Sequence, residues 1–173
     1  QDLVEPYEAL SKGVKEKTGE NLYIMSSFRT REEQLEIFNE DSKLATIPGA
    51  SEHETGLALD IYVKYFAGHG FLKSEAGQYV NRESFKYGFI RYPAFKKYIP
   101  GLTFEPWHIR YVGFPHAEII YKNNLALEEY IEKLEIGSFY EYENYLISRQ
   151  KGDNIKILNG LSNIVVSPDN MGN

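Results

Sequence analysis

The feature that most constrains the fold is an alternation of side chains over Leu57–Val63, directly after Gly56. Its apolar positions are Leu57, Leu59, Ile61 and Val63. A period of two is typical of a β-strand. Asp60 lies inside this run and faces away from Leu59, and a carboxylate between apolar strand neighbours needs a partner if it is buried. The pattern therefore predicts a strand that carries a partnered acid.

His53 precedes Asp60 by seven positions, in a segment whose Pro and Gly content predicts a loop over 46–56. An odd offset places two residues on opposite faces of a continuous strand, so strand spacing alone cannot bring this pair together. Gly56 allows the chain to turn between them. We therefore expect His53 on the loop, beside the start of the strand.

His108 belongs to a second strand-like segment, FEPWHIRYVG. Two neutral imidazoles and one carboxylate form the three-ligand set of a catalytic zinc, with a fourth position open. Cysteine is absent, which excludes disulfides, thiolate sites and a Cys nucleophile. Zinc suits His53, Asp60 and His108 better than copper or iron. The alternative for each residue alone is structural: a histidine at a loop edge, an acid in a turn, and a core histidine.

Glu105 stands three positions before His108. A carboxylate there is within reach of a zinc-activated water, whose pKa falls to about 7, and could move its proton to a leaving amine. The alternative is a solvent-exposed loop glutamate. The two remaining histidines, His69 and His116, are expected to serve as loop and helix-start residues, with His116 as the spare ligand.

Arg29 follows a strand predicted over 21–27 and precedes a helix that begins at a Thr30–Glu33 capping box. At such a junction its cation could bind a substrate carboxylate or stabilise the developing oxyanion, and losing one such donor typically costs about 10²–10³ in rate. The alternative is a surface arginine paired with Glu32 or Glu33.

The remaining elements indicate an α+β fold: a small antiparallel sheet with flanking helices and a small C-terminal β extension. The spacing predicts helices over 2–19, 78–87 and 115–134, a strand at 89–93, and a turn at Pro100–Gly101. After Gly137 the sequence changes to short alternating pieces. We expect a domain over 1–136 and a β-rich extension over 137–173.

Composition narrows the class of partner. The 173 residues carry a formal net charge of −6, which argues against nucleic-acid binding because that needs a basic face. No apolar stretch reaches the roughly 20 residues of a membrane span. The chain begins at Gln1 and not at a methionine. We therefore expect a mature or trimmed chain, from which an upstream signal or membrane anchor could have been removed. We expect a monomer.

Three blocks together resemble one enzyme family. SEHETGLALD matches S-x-H-x-x-G-x-A-x-D, EPWHIRYVG matches E-x-W-H-x-R-Y-V-G, and SSFRTREEQ is similar to S-G-Y-R-S-x-x-x-Q. In this order they resemble the VanY-type D-alanyl-D-alanine carboxypeptidases, zinc peptidases of the LAS type, and their L,D-carboxypeptidase relatives. The match runs from about Tyr23 to Glu132.

The resemblance implies a Zn²⁺ site made by His53, Asp60 and His108. It also implies a general base and acid at Glu105, and stabilisation of the scissile carbonyl by Arg29. Gln34 and Ser51 match positions that line the substrate pocket, and Trp107 is expected to wall it. Arg110 and Tyr111 belong to the signature as supports of the strand and site. Ser27 and Phe28 replace the family's usual Gly and Tyr, which bears on fine specificity.

The implied function is removal of the terminal D-Ala from peptidoglycan stem pentapeptides, in an extracytoplasmic, wall-associated or membrane-anchored bacterial protein. The alternatives are an L,D-carboxypeptidase acting on tetrapeptides, an endopeptidase, or a non-catalytic zinc-containing wall-binding module. Glu105 argues against the binding module, which needs no base. Since metal binding needs neutral histidines, activity should fall in acid.

Overall fold

The strand predicted from the alternation lies at the centre of an antiparallel sheet. The structure is a computed structural model that describes residues 3–40, 42, 45–93, 104–151, 155–159 and 162–166. The strands of this sheet are β1 (Tyr23–Ser26), β2 (Ala58–Tyr62), β3 (Phe89–Ile90) and β4 (His108–Tyr111), in the spatial order β1-β2-β4-β3. The turn predicted at Pro100–Gly101 lies outside the described residues.

One face of this sheet packs against helices α1 (Val4–Thr18) and α3 (Glu75–Glu83). The apolar cluster there joins residues of both helices, and Phe71 of the 3₁₀ helix Gly68–Lys73, to the sheet. Its helix residues are Leu10, Val14, Ala76 and Val80, and its sheet residues include Leu59, Ile61, Phe89 and Ile109. Leu59 and Ile61 point into this cluster, as their alternation predicts. Each fully buried side chain of this size contributes about 1.5–3 kcal/mol to folding.

The opposite face of the sheet is divided between polar and apolar residues. In the β2–β4 ladder Asp60 pairs with His108 and Ala58 pairs with Arg110, and Ile90 of β3 lies beyond Arg110. Directly paired residues share a face, so the polar side chains lie together on this side. Ile90 and Val112 continue it into a second apolar cluster. Both faces of β2 are therefore covered, and Asp60 is buried beneath His53, His108 and Arg29.

The second cluster joins the sheet to helices α4 (His116–Lys122) and α5 (Leu127–Lys133) and to a second antiparallel sheet. The strands of that sheet follow each other in order: β5 (Phe139–Tyr142), β6 (Tyr145–Arg149), β7 (Ile155–Asn159) and β8 (Ser162–Val166). The predicted β extension and the α+β class are confirmed. Ile147 and Ile155 pack in the same cluster as Ile120, and the division into 1–136 and 137–173 stays a prediction.

The helix predicted over 115–134 is wrong as a single element. α4 ends at Lys122, Asn124 takes a left-handed conformation with φ of 50°, and α5 starts at Leu127. Asparagine tolerates this region of backbone space, so it can end a helix without glycine. The new helix start is capped by Glu129, whose carboxylate accepts a 2.8 Å hydrogen bond from the Ala126 N–H.

The other predicted helices agree with the structure except at their ends. α1 stops at Gly19, which has a φ of 74°. α2 (Arg31–Glu40) begins with the expected capping box between Thr30 and Glu33. α3 starts earlier than its apolar spacing indicates, because Ser74 caps it by accepting from the Gly77 N–H. In the part of the chain that the structure describes, every helix is too short or too polar to cross a bilayer.

His116 is fully buried, and a 2.6 Å hydrogen bond joins its Nδ1 to the Tyr130 hydroxyl. Burial lowers the pKa of His116 to about 4, whereas an unfolded chain keeps its histidines near about 6.5. As the pH falls from about 6.5 to about 4, His116 therefore becomes protonated in the unfolded chain but stays neutral in the folded protein. We expect this difference to lower the free energy of unfolding by about 3 kcal/mol over that window.

The measurement is urea unfolding at a series of pH values for wild type, His116→Gln and His69→Gln. His69 is exposed, so its variant should keep the wild-type pH dependence, while His116→Gln should show a flatter profile. Three parallel profiles would contradict the assignment.

Candidate metal centre

The Asp60 carboxylate is the centre of the polar face of the first sheet, and its side chain is 9% exposed. Its Oδ1 lies 3.0 Å from Nδ1 of His108, and its Oδ2 lies 3.2 Å from Nε2 of His53 and 2.9 Å from Nη2 of Arg29. Burial alone would raise the pKa of Asp60, but the hydrogen bonds with His108 and His53 outweigh it and hold the pKa well below its usual range. The predicted need for a partner is met three times.

Strand register brings Asp60 and His108 together, although they are far apart in sequence. They stand directly opposite each other in the β2–β4 ladder, where paired side chains project from one face at close range. On its other side Asp60 pairs with Ser26 of β1, whose hydroxyl accepts a 2.9 Å hydrogen bond from Nε of Arg29. The register thus delivers an acid, an imidazole and a guanidinium to one point.

His53 reaches the same point from a short 3₁₀ helix, Glu52–Thr55, which replaces the open loop that the composition predicts. Gly56 ends this helix with a φ of 70° and donates to the His53 carbonyl at 3.1 Å. The predicted turn at Gly56 is confirmed. The Arg29 N–H also bonds to the His53 carbonyl, at 3.3 Å, so the backbone ties the two predicted site segments together.

The outer nitrogen of each imidazole faces an acceptor. Nδ1 of His53 lies 2.7 Å from the Ser27 carbonyl, and Nε2 of His108 lies 2.8 Å from a carboxylate oxygen of Glu52. A carbonyl oxygen only accepts, so Nδ1 of His53 carries the proton and Nε2 is left to face Asp60. Burial would lower the pKa of His108, but the hydrogen bonds with Asp60 and Glu52 raise it.

These inner atoms meet the requirements of a small divalent cation. His53, Asp60 and His108 each offer one ligand atom, all within 4.8 Å of one another. Tetrahedral zinc with bonds of about 2.0–2.2 Å needs its ligand atoms roughly 3.3 Å apart. Each imidazole lies at a similar distance from one Asp60 oxygen: Nε2 of His53 is 3.2 Å from Oδ2, and Nδ1 of His108 is 3.0 Å from Oδ1. Nitrogen and carboxylate donors also suit zinc. The residues therefore fit the metal that their types suggest.

Arg29 and Gln34 lie together next to this group. Nη1 of Arg29 donates to Oε1 of Gln34 at 3.2 Å, and Nε2 of Gln34 donates to the Thr46 carbonyl at 2.8 Å. Gln34 is 1% exposed. Both ends of its amide are held by the protein, so Gln34 orients the guanidinium. The alternative of a surface pair between Arg29 and Glu32 or Glu33 does not describe these contacts.

Glu105 and Trp107 lie in the turn that precedes β4. The His108 N–H donates to the Glu105 carbonyl at 3.0 Å, which folds Glu105 back towards the site. Burial raises the pKa of the Glu105 carboxyl, and the charge of Asp60 raises it further. The charges of His108, His53 and Arg29 lower this pKa but do not outweigh the burial. The Trp107 indole is half-buried, and its ring and the His69 ring are nearly perpendicular, with centroids 4.9 Å apart and an interplanar angle of 86°. His69 thus supports the predicted pocket wall.

Ser51 and His116 are two further sequence candidates, and both are buried; the role of Ser51 in the substrate pocket stays a prediction. Ser51 is buried at the start of the 3₁₀ helix, where its carbonyl accepts from the Glu54 N–H and its hydroxyl does not cap the helix. His116 lies in the second apolar cluster with Tyr130. It is not in the cation-binding group found among the described residues, so the structure does not support it as a spare ligand.

Comparisons with known proteins agree with this geometry. The family model for VanY, D-alanyl-D-alanine carboxypeptidase, matches residues 1–114, well over half of the chain. The chain belongs to this VanY family. Its match ends before α4 (His116–Lys122), so α4, α5 and the second sheet lie outside the part that the VanY family model covers.

Known proteins are similar to this chain in sequence, and solved structures are similar to it in fold. The putative carboxypeptidase YodJ of Bacillus subtilis (strain 168) is 40% identical over 134 residues, which cover 68% of this chain and 48% of YodJ. The LdcB LD-carboxypeptidase structure has a TM-score of 0.68 and 35% identity, covering 76% of this chain and 67% of LdcB. A mutant of the vancomycin-resistance D,D-pentapeptidase VanY in complex with Zn(II) has a TM-score of 0.65 and 32% identity, covering 75% and 81%. The chain spans about half the length of YodJ.

Sequence reasoning missed Glu52, which contacts a VanY-family signature histidine. In the sequence Glu52 and Glu54 flank His53 symmetrically, and nothing in the composition separates them. In the structure Glu52 binds His108, whereas Glu54 binds Arg31 and the Gly49 N–H. The only available signal was the position of Glu52 between the two signature residues Ser51 and His53.

Gly56 is the residue whose backbone brings His53 beside Asp60, and it should resist substitution. Among the residues that the structure describes, a Cβ at this position would meet only the Phe28 ring, at an ordinary 3.7 Å, so the cost comes from the positive φ. We expect Gly56→Ala to lower the free energy of unfolding by about 1 kcal/mol. The left-handed backbone costs alanine about 1–2 kcal/mol, and this cost is partly offset because alanine reduces the conformational entropy of the unfolded chain. Asparagine tolerates a positive φ, so Gly56→Asn should cost less. Equal urea midpoints for the two variants would contradict this explanation.

Proposed function

We propose that this protein is a zinc-dependent D,D-carboxypeptidase that removes the terminal D-Ala from peptidoglycan stem pentapeptides. The observation that carries the proposal is the convergence of His53, Asp60 and His108 on one point, with Arg29 bonded to Asp60 beside it. Membership of the VanY D-alanyl-D-alanine carboxypeptidase family supports the substrate class. A VanY D,D-pentapeptidase that binds Zn(II) shares the fold at 32% identity.

His53 Nε2, one oxygen of Asp60 and His108 Nδ1 would hold the zinc ion. When bound, zinc supplies a Lewis acid that polarises a peptide carbonyl and makes water more acidic. The protein holds this set ready because the outer nitrogen of each histidine already has its acceptor. The fourth position of such a site stays open for substrate.

Glu105 would act as the base and later as the acid. It takes a proton from the attacking water, whose oxygen bonds to the scissile carbonyl carbon. It then gives a proton to the nitrogen of the leaving D-Ala as the C–N bond breaks. Burial raises the pKa of the Glu105 carboxyl, which brings it closer to the operating pH and suits a group that must both take and give a proton.

Arg29 would donate to the carbonyl oxygen as negative charge develops on it. Its guanidinium is already fixed by Ser26, Gln34 and Asp60, so little rearrangement is needed. Gln34 and Ser51 would orient the terminal residue and its carboxylate, with Gln34 acting through Arg29. Trp107, which packs at right angles against the His69 ring, would form a wall of the pocket.

An L,D-carboxypeptidase is the second candidate, favoured by the LdcB fold at 35% identity. Both reactions use every residue assigned above, and they differ in how the pocket receives the penultimate residue. The family model favours the D,D reaction.

In the same proposal the protein acts outside the cytoplasm on the cell wall as a monomer, with residues 1–136 as the catalytic domain and 137–173 as its extension.

Zinc should stabilise the folded protein only while its ligand set is complete. At a free zinc concentration of a hundred times Kd, the expected gain is about 2.7 kcal/mol, seen as a rise in Tm. Asp60→Asn removes the ligand charge at constant size and should lose most of this gain. His116→Gln changes a histidine outside the site and should keep it. A zinc-dependent Tm shift of wild-type size in Asp60→Asn would count against the site.

Turnover should depend on Glu105 while zinc binding should not. We expect Glu105→Gln to lower kcat by about 10²–10⁴ and to retain one zinc per chain by elemental analysis. The assay is mass spectrometry of one zinc-loaded reaction that contains a pentapeptide ending in D-Ala-D-Ala and a tetrapeptide ending in one D-Ala.

Loss of alanine from the pentapeptide alone is the expected result. Loss from the tetrapeptide alone would make the protein an L,D-carboxypeptidase. If wild type binds zinc and shortens neither peptide, the carboxypeptidase assignment fails. If Glu105→Gln turns over at the wild-type rate, the base is wrongly assigned.

A further inference from the structure

Glu52 is a carboxylate in contact with the metal centre, and the function proposed above gives it no role. It begins the 3₁₀ helix that carries His53, yet its Oε2 lies 2.8 Å from Nε2 of His108, on a different strand. Its side chain is 24% exposed. This four-residue helix therefore carries one metal-site imidazole, that of His53, and contacts the other, that of His108, through Glu52.

The two nitrogens of His108 face two different carboxylates. Nδ1 lies 3.0 Å from Asp60, and Nε2 lies 2.8 Å from Glu52. An ionised carboxylate only accepts hydrogen bonds, so the proton of a neutral His108 ring can satisfy only one of them. With that proton on Nε2, towards Glu52, the lone pair of Nδ1 is on the side of Asp60.

The two metal-site histidines consequently present different atoms. His53 is held through Nδ1 by the Ser27 carbonyl and offers Nε2. His108 is held through Nε2 by Glu52 and offers Nδ1. A histidine that presents Nδ1 needs its ring turned with the far nitrogen away from the metal, and Glu52 is the group that meets that far nitrogen.

Arg110 in turn holds Glu52. Its Nη1 lies 3.7 Å from Oε1 of Glu52 and donates to Oγ1 of Thr55 at 2.9 Å. Thr55 Oγ1 donates to the Glu52 carbonyl at 2.6 Å, so backbone and side chain of Glu52 are both fixed. Arg110 is 1% exposed, so it supports Glu52 from a buried position. The arrangement differs from a surface ion pair, whose partners are free to move.

We propose that Glu52 is a positioning residue for zinc: it accepts the Nε2–H hydrogen bond of His108 and thereby fixes the ring and the tautomer that present Nδ1 to the metal. Arg110 and Thr55 keep Glu52 in place. This inference rests on the proposed zinc site. Loss of such an outer partner typically weakens metal affinity by 10–100-fold, and Glu52→Ala should show a loss of that size.

The test compares zinc dissociation constants, measured by competition with a chromophoric chelator, for wild type, Glu52→Gln, Glu52→Asp and Glu52→Ala. Glutamine keeps the length and an acceptor oxygen but no charge, whereas aspartate keeps the charge but is one methylene shorter. Hydrogen-bond positioning predicts the affinity order Glu, Gln, then Asp and Ala together. A role of charge alone predicts Asp above Gln. Glu54→Gln is the matched control, since Glu54 lies on the same helix and contacts Arg31 and Gly49 instead.

A second measurement does not depend on affinity or activity. Long-range ¹H–¹⁵N NMR of the zinc-loaded protein with labelled histidines should show the wild-type proton of His108 on Nε2 and that of His53 on Nδ1. In Glu52→Gln the same pattern should persist. In Glu52→Ala the His108 Nε2 proton should exchange rapidly with water while the His53 pattern is unchanged.

If Glu52→Ala fails to fold, as judged by circular dichroism, the order of Gln and Asp decides the question. Two outcomes would overturn the role of Glu52 and leave the proposed function intact, provided that wild type binds zinc and cleaves its peptide. In the first, the Glu52 variants keep wild-type zinc affinity; in the second, Glu52→Asp binds zinc more tightly than Glu52→Gln. If wild type takes up no zinc, the proposed function fails and this inference fails with it.

Discussion

The structure depends on one buried carboxylate and the groups that compensate it. Asp60 lies in the middle of a strand whose other face is apolar, and a buried charge of this kind is stable only when it is paired and hydrogen-bonded. His53, His108 and Arg29 supply that pairing at 2.9–3.2 Å. Each comes from a different segment, so the demands of one side chain hold the 3₁₀ helix, β4 and the β1–α2 junction in place.

The central sheet makes this arrangement possible because both of its faces are covered. Its first face is a conventional apolar contact with α1 and α3. Its second face changes character along the strands, from the polar group around Asp60 to the apolar cluster that includes Ile90 and Val112. The metal centre is therefore the polar end of a buried layer. Helices α4 and α5 and the second sheet cover the other end of that layer, which gives the C-terminal part of the chain a packing role next to the site.

Local sequence patterns predicted the secondary structure well wherever an element depends only on neighbouring residues. The β2 alternation, the Thr30–Glu33 capping box and the glycine stop of α1 all appear as expected, because each depends on residues only a few positions apart. Two other features escaped this reasoning. The break at Asn124 carries no glycine or proline, and the 3₁₀ helix at Glu52–Thr55 is too short to show a periodicity.

The site was partly readable in the same way. His53, Asp60, His108, Glu105 and Arg29 have side chains whose chemistry and motif spacing suggest a metal peptidase, and a motif is a property of the chain alone. The pairing of Asp60 with His108, the ring nitrogen that each histidine presents, and the choice of Glu52 over Glu54 as a partner of His108 are different in kind. They depend on strand register and side-chain direction, which are set by long-range packing.

The sequence by itself determined the inventory of this protein: an α+β chain without cysteine, with an amphipathic central strand and a set of residues suited to zinc. Only the tertiary structure decided how that inventory is connected. A one-residue change of register in the β2–β4 ladder would turn His108 to the apolar face, and no local pattern around Asp60 encodes that register. It is decided by the burial of Leu59 and Ile109 on one side together with the pairing of Asp60 on the other.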